Sequence, residues 1–169
     1  VSLWYPLLAG EVRTAMVKHF DTVTAEQGAL QAVALEGIRD MLKTLHASGY
    51  RLGLCTNDST SGAEKTLLAL GVAQMFDAAY GYDAVANPKP APDAVHAFCD
   101  LTGLKPAEVA MVGDNGHDLE MARAAGCGLA VGVLSGTGTR ASLAPLADII
   151  LPSAIELPGL LKSRNTGDR

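Results

Sequence analysis

Residues 112–122 read VGDNGHDLEMA and place two carboxylates, Asp114 and Asp118, four positions apart. The apolar run EVAMV enters this stretch and the helical pattern DLEMARAAG leaves it. Two acids on the turn between a buried strand and a helix can offer oxygen ligands to a cation. Mg²⁺ suits such a pair, because it binds through one or two carboxylates, keeps several waters and shares its shell with a phosphate. Two other stretches supply what a phosphate would need. LCTNDS ends an apolar run on Thr56 and Asn57. The hydroxyl of Thr56 and the amide of Asn57, at a helix entrance, can donate to phosphate oxygens. NPKPAPD holds Lys89, whose ammonium can offset the remaining negative charge.

Each of these residues also has an ordinary reading. Asp118 before a helix can be a cap, as can Asp58. Thr56 can be a turn residue and Lys89 a solvated surface lysine. His117 reads as an exposed neighbour in the turn, and His19, His46 and His96 as structural or solvated positions on helical patterns. Cys55, Cys99 and Cys127 sit in apolar stretches and behave as small hydrophobes. The chemical reading gains weight because the three clusters all follow apolar runs that read as strands. In an open parallel sheet, ligands bind beyond the carboxyl ends of the strands.

The elements that must position these groups alternate along the chain. From residue 36 onward, GIRDMLKTLHASG is an amphipathic helix ended by Gly49, YRLGLC a strand, AEKTLLALGV a helix and FDAAYG a strand. A Pro- and Asn-rich loop follows, then the helix AVHAFCDLTG, the strand EVAMVG and the helix DLEMARAAG. CGLAVGV and ADIIL complete the strands, with TRASLAPL a short helix between them and AIELPGLLK a last helix. Strands that are continuous apolar runs are covered on both faces, so the pattern predicts a doubly wound parallel α/β sheet. The first residues, SLWYPLLAGEVRTAMVKHF, read as helical with a break near Pro6, and DTVTAEQGALQAVALEG as linker-like and then helical.

Composition narrows the function classes. The 169 residues suffice for one domain, with 49% hydrophobic and 18% charged residues and 18 glycines. A net charge of −5 without a basic patch argues against a nucleic-acid partner. No apolar run is long enough to span a membrane. Three cysteines, an odd number without metal-type spacing, point to a reducing compartment, hence the cytoplasm.

The three clusters, in this order, resemble the motifs of the haloacid dehalogenase superfamily of phosphatases. LCTNDS is similar to its second motif, NPKPAPD to its third and VGDNGHDLEMARAAG to its fourth, with GVLSG and ADIILPSAIELPGLL similar to its C-terminal run. TND, together with GYD before the lysine loop, leans toward phosphoglycolate phosphatase-like members. The resemblance implies a Rossmann-like core over residues 35–163, a remnant of a small helical cap with its linker over 1–34, and a flexible tail over 164–169. It implies a Mg²⁺-dependent phosphomonoester hydrolase acting on a small phosphorylated metabolite. Thr56, Asn57 and Lys89 would bind the phosphate, with Thr56 and Lys89 taking part in catalysis, and Asp114 and Asp118 would hold or orient the metal. The family's first motif, D-x-D-G-T, carries the nucleophile, yet no D-x-D occurs anywhere in this sequence. The expectation is that it lies upstream of Val1 and that residues 1–169 alone are inactive. The alternative is a non-catalytic domain that keeps the phosphate-site shell. A 2-haloacid dehalogenase would not need the two acids, and a phosphotransfer receiver domain would carry its acids on the first strand.

Overall fold

The computed structural model describes residues 10–167, with side chains through Arg164. Helix α1 (Gly10–Gln31) leads through residues 32–37, irregular and then a turn, to α2 (Ile38–Ala47). The strands β1 (Gly53–Cys55), β2 (Ala78–Tyr80), β3 (Ala110–Gly113), β4 (Leu129–Val133) and β5 (Ile149–Leu151) then alternate with helices. These are α3 (Thr60–Ala69), α4 (Asp93–Thr102), α5 (Gly116–Ala125), α6 (Arg140–Leu143) and α7 (Leu157–Gly167). The alternation is the one the apolar runs predict, and every strand pair is parallel.

Strand β4 shows why the runs are continuous. All five of its residues are buried. Leu129, Val131 and Val133 pack with Met41 and Leu45 of α2 and Leu157 of α7. Ala130, pointing the other way, packs with Leu119 and Ala122 of α5 and with Leu143 of α6. Successive side chains on a strand face opposite sides, so a strand covered twice must be apolar at every position.

The described strands form two ladders. β1 pairs with β2, Leu54 opposite Ala79, and β3–β4–β5 form the second, with Val112 opposite Val131 and Val131 opposite Ile149. Among the described residues no ladder joins β1 to β3. The helices bridge them instead. On one side α2 packs against β4 together with Leu52, which precedes β1, and Val112 of β3. On the other side Val95 and Cys99 of α4 and Met121 of α5 meet Cys55 of β1 and Met111 of β3. Gly53 is the close point of this layer, since a Cβ there would lie 2.8 Å from the Phe98 ring of α4.

Two segments depart from expectation. Residues 21–37 read as linker-like and then helical, yet the order is reversed, with α1 continuing through 21–31 to Gln31 and residues 32–35 in no regular structure. Thr22 and Thr24 bond their hydroxyls back to the carbonyls of Lys18 and Phe20, and Ala25 is buried. Contacts with α3 thus outweigh the weak local signal. The expected flexible tail from 164 continues α7 as a helix as far as Gly167, and Leu157, Leu160 and Leu161 anchor that helix on the core. The expected break near Pro6 lies outside the described residues.

The start of β5 is fixed by an ion pair. Arg123 of α5 reaches both oxygens of Asp148, at 2.7 and 3.2 Å, and its Nε donates to the Leu146 carbonyl. Asp148 also accepts from the Ala130 N–H at 2.8 Å. The hydrogen bonds from Arg123, and then that from Ala130, hold the Asp148 carboxyl below its ordinary value. A carboxyl depressed in the folded state adds stability above its unfolded pKa of about 3.9, and that stability is lost as pH falls through the folded value. Asp148→Asn should therefore flatten the acid limb of a urea-unfolding series below about pH 4. At pH 7 it should cost about 1 kcal/mol or less, since both side chains are partly solvated.

Candidate active site

The carboxyl ends of β1, β2 and β3 gather the groups the sequence singles out. Lys89 sits on the loop after β2, and its peptide to Pro90 is cis. Its ammonium lies 2.7 Å from Asp118 Oδ1 and donates to the Cys55 carbonyl at 3.1 Å. It therefore ties the end of β1 to the first turn of α5. Both side chains are 11% exposed, so the pair is largely shielded from water.

Asp118 reaches this position through the turn after β3. Gly113 ends that strand, and a Cβ there would collide with the Asp118 side chain, so only glycine lets the carboxylate fold back against the strand end. Asn115 is the cap of α5, its Oδ1 accepting from the His117 N–H at 3.1 Å. Asp118 answers by accepting from the Asn115 N–H at 3.1 Å, which closes a capping box. Asp118 is thus part of the helix cap and the partner of Lys89 at once, and both of its oxygens are engaged.

Asp114 is differently placed. Its Oδ2 accepts from both the N–H and the hydroxyl of Thr137, at 2.7 and 3.1 Å. Among the described residues no hydrogen bond reaches its Oδ1. Thr56 continues the β1–β2 ladder by donating its N–H to the Tyr80 carbonyl, and its half-buried hydroxyl accepts from the Asp58 N–H at 3.1 Å. Its hydroxyl proton stays available for an acceptor. Asn57 is exposed at the same strand end. The structure thus joins Lys89 to Asp118 directly and to the Thr56 strand end through the Cys55 carbonyl. Asp114 stands at the end of β3, against the loop after β4.

Asp58 behaves as a turn residue, but the cap of α3 is Ser59, whose Oγ accepts from the Gly62 N–H at 3.2 Å. Next to it, Asp83 accepts from the N–H and hydroxyl of Thr60, each at 2.7 Å. Tyr82 donates its hydroxyl to Asp21 of α1 at 2.6 Å, which raises the phenol to about 12 and keeps it a donor. Sequence reasoning passed over Asn115, Thr137 and the Tyr82–Asp21 tie. The signal for Thr137 was the run GTGT after a buried strand, a composition that lets backbone approach another group closely. His117 is exposed, as expected. Burial pushes the Cys127 thiol up to about 11 and also raises Cys55 and Cys99, so all three thiols stay protonated and unreactive.

Mg²⁺ takes hard oxygen donors and needs only one or two from protein when a phosphate and waters complete its shell. Asp114 Oδ1 meets that demand, with Asp118 beside it already committed to Lys89 and to the helix cap. No group of three or more His, Cys, Asp or Glu side chains able to hold a metal occurs among the described residues. The donor set among the described residues is thus a single open carboxylate oxygen rather than an all-protein cage. A separate cleft of about 420 Å³ opens between α1 and the start of α3, lined by Arg13, Lys18, Asp21, Ser59, Lys65 and Asp83 among others. Thr56, Lys89, Asp114 and Asp118 do not line it.

Comparison with known proteins decides the family. The model of the haloacid dehalogenase-like hydrolases matches residues 3–126. The chain belongs to the haloacid dehalogenase-like hydrolases. Phosphoglycolate phosphatase of Salmonella typhimurium is 36% identical over 110 residues, covering 65% of this chain and 44% of that protein. The Vibrio vulnificus (strain YJ016) phosphoglycolate phosphatase is 31% identical over 160 residues, covering 88% of this chain and 70% of that protein. The match to the first of these relatives thus spans less than half its length. Among solved structures, a predicted phosphoglycolate phosphatase from Haemophilus somnus superposes with a TM-score of 0.77 at 24% identity, covering 91% of this chain and 68% of that one. This likeness shows a shared fold. Within this haloacid dehalogenase-like chain, all four residues Thr56, Lys89, Asp114 and Asp118 fall inside the matched region.

Removing one member of a shielded ion pair strands the other charge, a loss larger than the pair's own net worth. Lys89→Ala should destabilise the fold by about 2–4 kcal/mol, measured by urea unfolding, with its pair slightly exposed. Adding Asp118→Asn to Lys89→Ala should recover part of that loss, because the stranded charge is gone.

Proposed function

We propose that this haloacid dehalogenase-like chain is part of a Mg²⁺-dependent phosphomonoester hydrolase acting on a small phosphorylated metabolite, with phosphoglycolate the first candidate. The observation that carries the reading is the Lys89 ammonium, held at the strand ends between the Cys55 carbonyl and Asp118. A shielded cation fixed from two sides costs no reorganisation when negative charge develops beside it, which is how phosphoryl transfer is accelerated. The named activities of the Salmonella and Vibrio relatives support the choice of substrate class.

In this reading Thr56 donates its hydroxyl proton to a phosphoryl oxygen, and the main-chain and side-chain amides of Asn57 contribute at the start of α3. Lys89 neutralises the phosphoryl oxygens and the attacking carboxylate together. Asp114 binds the cation through its open oxygen, and Asp118 orients Lys89 and the turn that carries Asp114. Bound Mg²⁺ would supply neutralising charge for the phosphate. The attacking carboxylate itself comes from a segment outside these 169 residues, since the sequence contains no D-x-D. A natural place for that segment is between β1 and β3, which share no ladder among the described residues. A strand entering there would pair both edges and deliver its carboxyl end beside Lys89. Attack of its carboxylate on phosphorus would expel the alcohol oxygen, and water would then cleave the acyl phosphate. The unpaired thiols agree with a cytoplasmic setting.

The absence of a D-x-D also favours a second reading, a non-catalytic domain that retains the phosphate-site shell. One assay separates the two. The full-length protein and residues 1–169 are compared on p-nitrophenyl phosphate with Mg²⁺. Turnover is expected only from the full-length protein, and Lys89→Ala in it should reduce kcat by about 10³-fold, the scale of losing a preorganised charge contact. Equal turnover by the short chain would place the nucleophile within it. A full-length protein that is folded and inactive would leave the non-catalytic reading standing.

A further inference from the structure

The loop between β4 and α6 brings a fourth strand end into the site. We propose that Thr137, set between Gly136 and Gly138, is a positioning residue that fixes one oxygen of Asp114 and so presents the other to a divalent cation. The proposal rests on the reading of Asp114 as the cation's carboxylate.

The geometry is specific to this loop. Two donors of a single residue, the N–H and the hydroxyl of Thr137, converge on the same oxygen, Asp114 Oδ2. Two donors on one oxygen set both the direction and the plane of the carboxylate. No described group bonds the second oxygen, which leaves it open to a ligand. The approach needs the flanking glycines. A Cβ on Gly136 would collide with the Asp114 carboxylate, and a Cβ on Gly138 with the Asp114 carbonyl oxygen. The loop is held at both ends. Leu134 donates its N–H to the Leu151 carbonyl of β5, and Thr139 caps α6 by accepting from the Ser142 N–H at 3.2 Å. Thr137 is therefore presented from a fixed support. Groups that hydrogen-bond a metal-binding carboxylate orient it, and their loss weakens metal binding by about 10- to 100-fold.

A role confined to anchoring the loop would lower stability and leave metal affinity unchanged, so metal affinity is the deciding measurement. In the full-length protein, Mn²⁺ serves as the probe for the Mg²⁺ site and is titrated by calorimetry. Thr137→Val keeps the N–H and removes the hydroxyl, and it should raise the Mn²⁺ Kd about 10-fold. Thr137→Ser, which restores the hydroxyl, should bring the Kd back to within about twofold of the parent by the same logic. Gly136→Ala should weaken binding at least as much as Thr137→Val. Thermal unfolding of each variant shows that it is folded during the titration, and Gly136→Ala supplies the comparison should Thr137→Val unfold. Phosphatase turnover by Thr137→Val should recover at saturating metal. Wild-type Mn²⁺ affinity in folded Thr137→Val or Gly136→Ala overturns the inference and leaves the phosphatase reading intact. A parent protein that binds no Mn²⁺ overturns the inference itself. A parent protein that binds Mn²⁺ and turns over no phosphomonoester defeats the phosphatase reading, while the variant affinities still decide the role of Thr137.

Discussion

The ammonium of Lys89 is the point on which the site's architecture turns. It bonds the last carbonyl of β1 and a carboxylate on the first turn of α5, and β1 and the strand that leads into α5, β3, belong to separate ladders. Shielded charge is costly unless both its partners are in place. The geometry of this one group therefore requires that β1, the loop after β2 and the start of α5 hold a fixed distance. The helix layers keep that distance, with Met121 of α5 packed against Val95 and Cys99 of α4 and joined by Cys55 of β1. Charge at the mouth and apolar packing beneath it thus constrain the same elements.

The turn after β3 does two jobs with few residues. Gly113 admits the Asp118 side chain, Asn115 caps the helix, and Asp118 completes the capping box while pairing with Lys89. A capping carboxylate is favoured at a helix N-terminus by the helix dipole in any case. The helix cap and Lys89 therefore share the Asp118 carboxylate. Asp114, one residue before the cap, is left to be oriented from the other side by the loop after β4. The division of labour between the two acids follows from position. One is turned inward into the helix cap, and the other stands at the strand end.

Much of the fold could be read in the sequence because burial on both faces writes itself as unbroken apolar runs. EVAMVG and CGLAVGV became β3 and β4, and the turns between them ended on glycine as expected, Gly126 taking a positive φ of 72° after α5. The reading failed where tertiary contact replaces local signal. DTVTAEQGALQ carries little amphipathic pattern, yet it is helical because α1 lies along α3. The YRLGLC run gave only a three-residue ladder, since Leu52 donates its N–H to the Asp77 carboxylate instead of to a neighbouring strand.

The sequence by itself determined which residue types stand at the strand ends. Thr56, Lys89, Asp114 and Asp118 each lie after an apolar run, and all four fall inside the region that matches the family to which the chain belongs. Strand direction and alternation place such residues at one edge of a parallel sheet without further information. What only the tertiary structure decided was their pairing. Lys89 and Asp118 are 29 positions apart, and Asp114 and Thr137 are 23 apart. No local rule links residues at such separations. Their partners are chosen by how the helices pack the strands side by side, and by glycines whose missing Cβ atoms let a carboxylate come close.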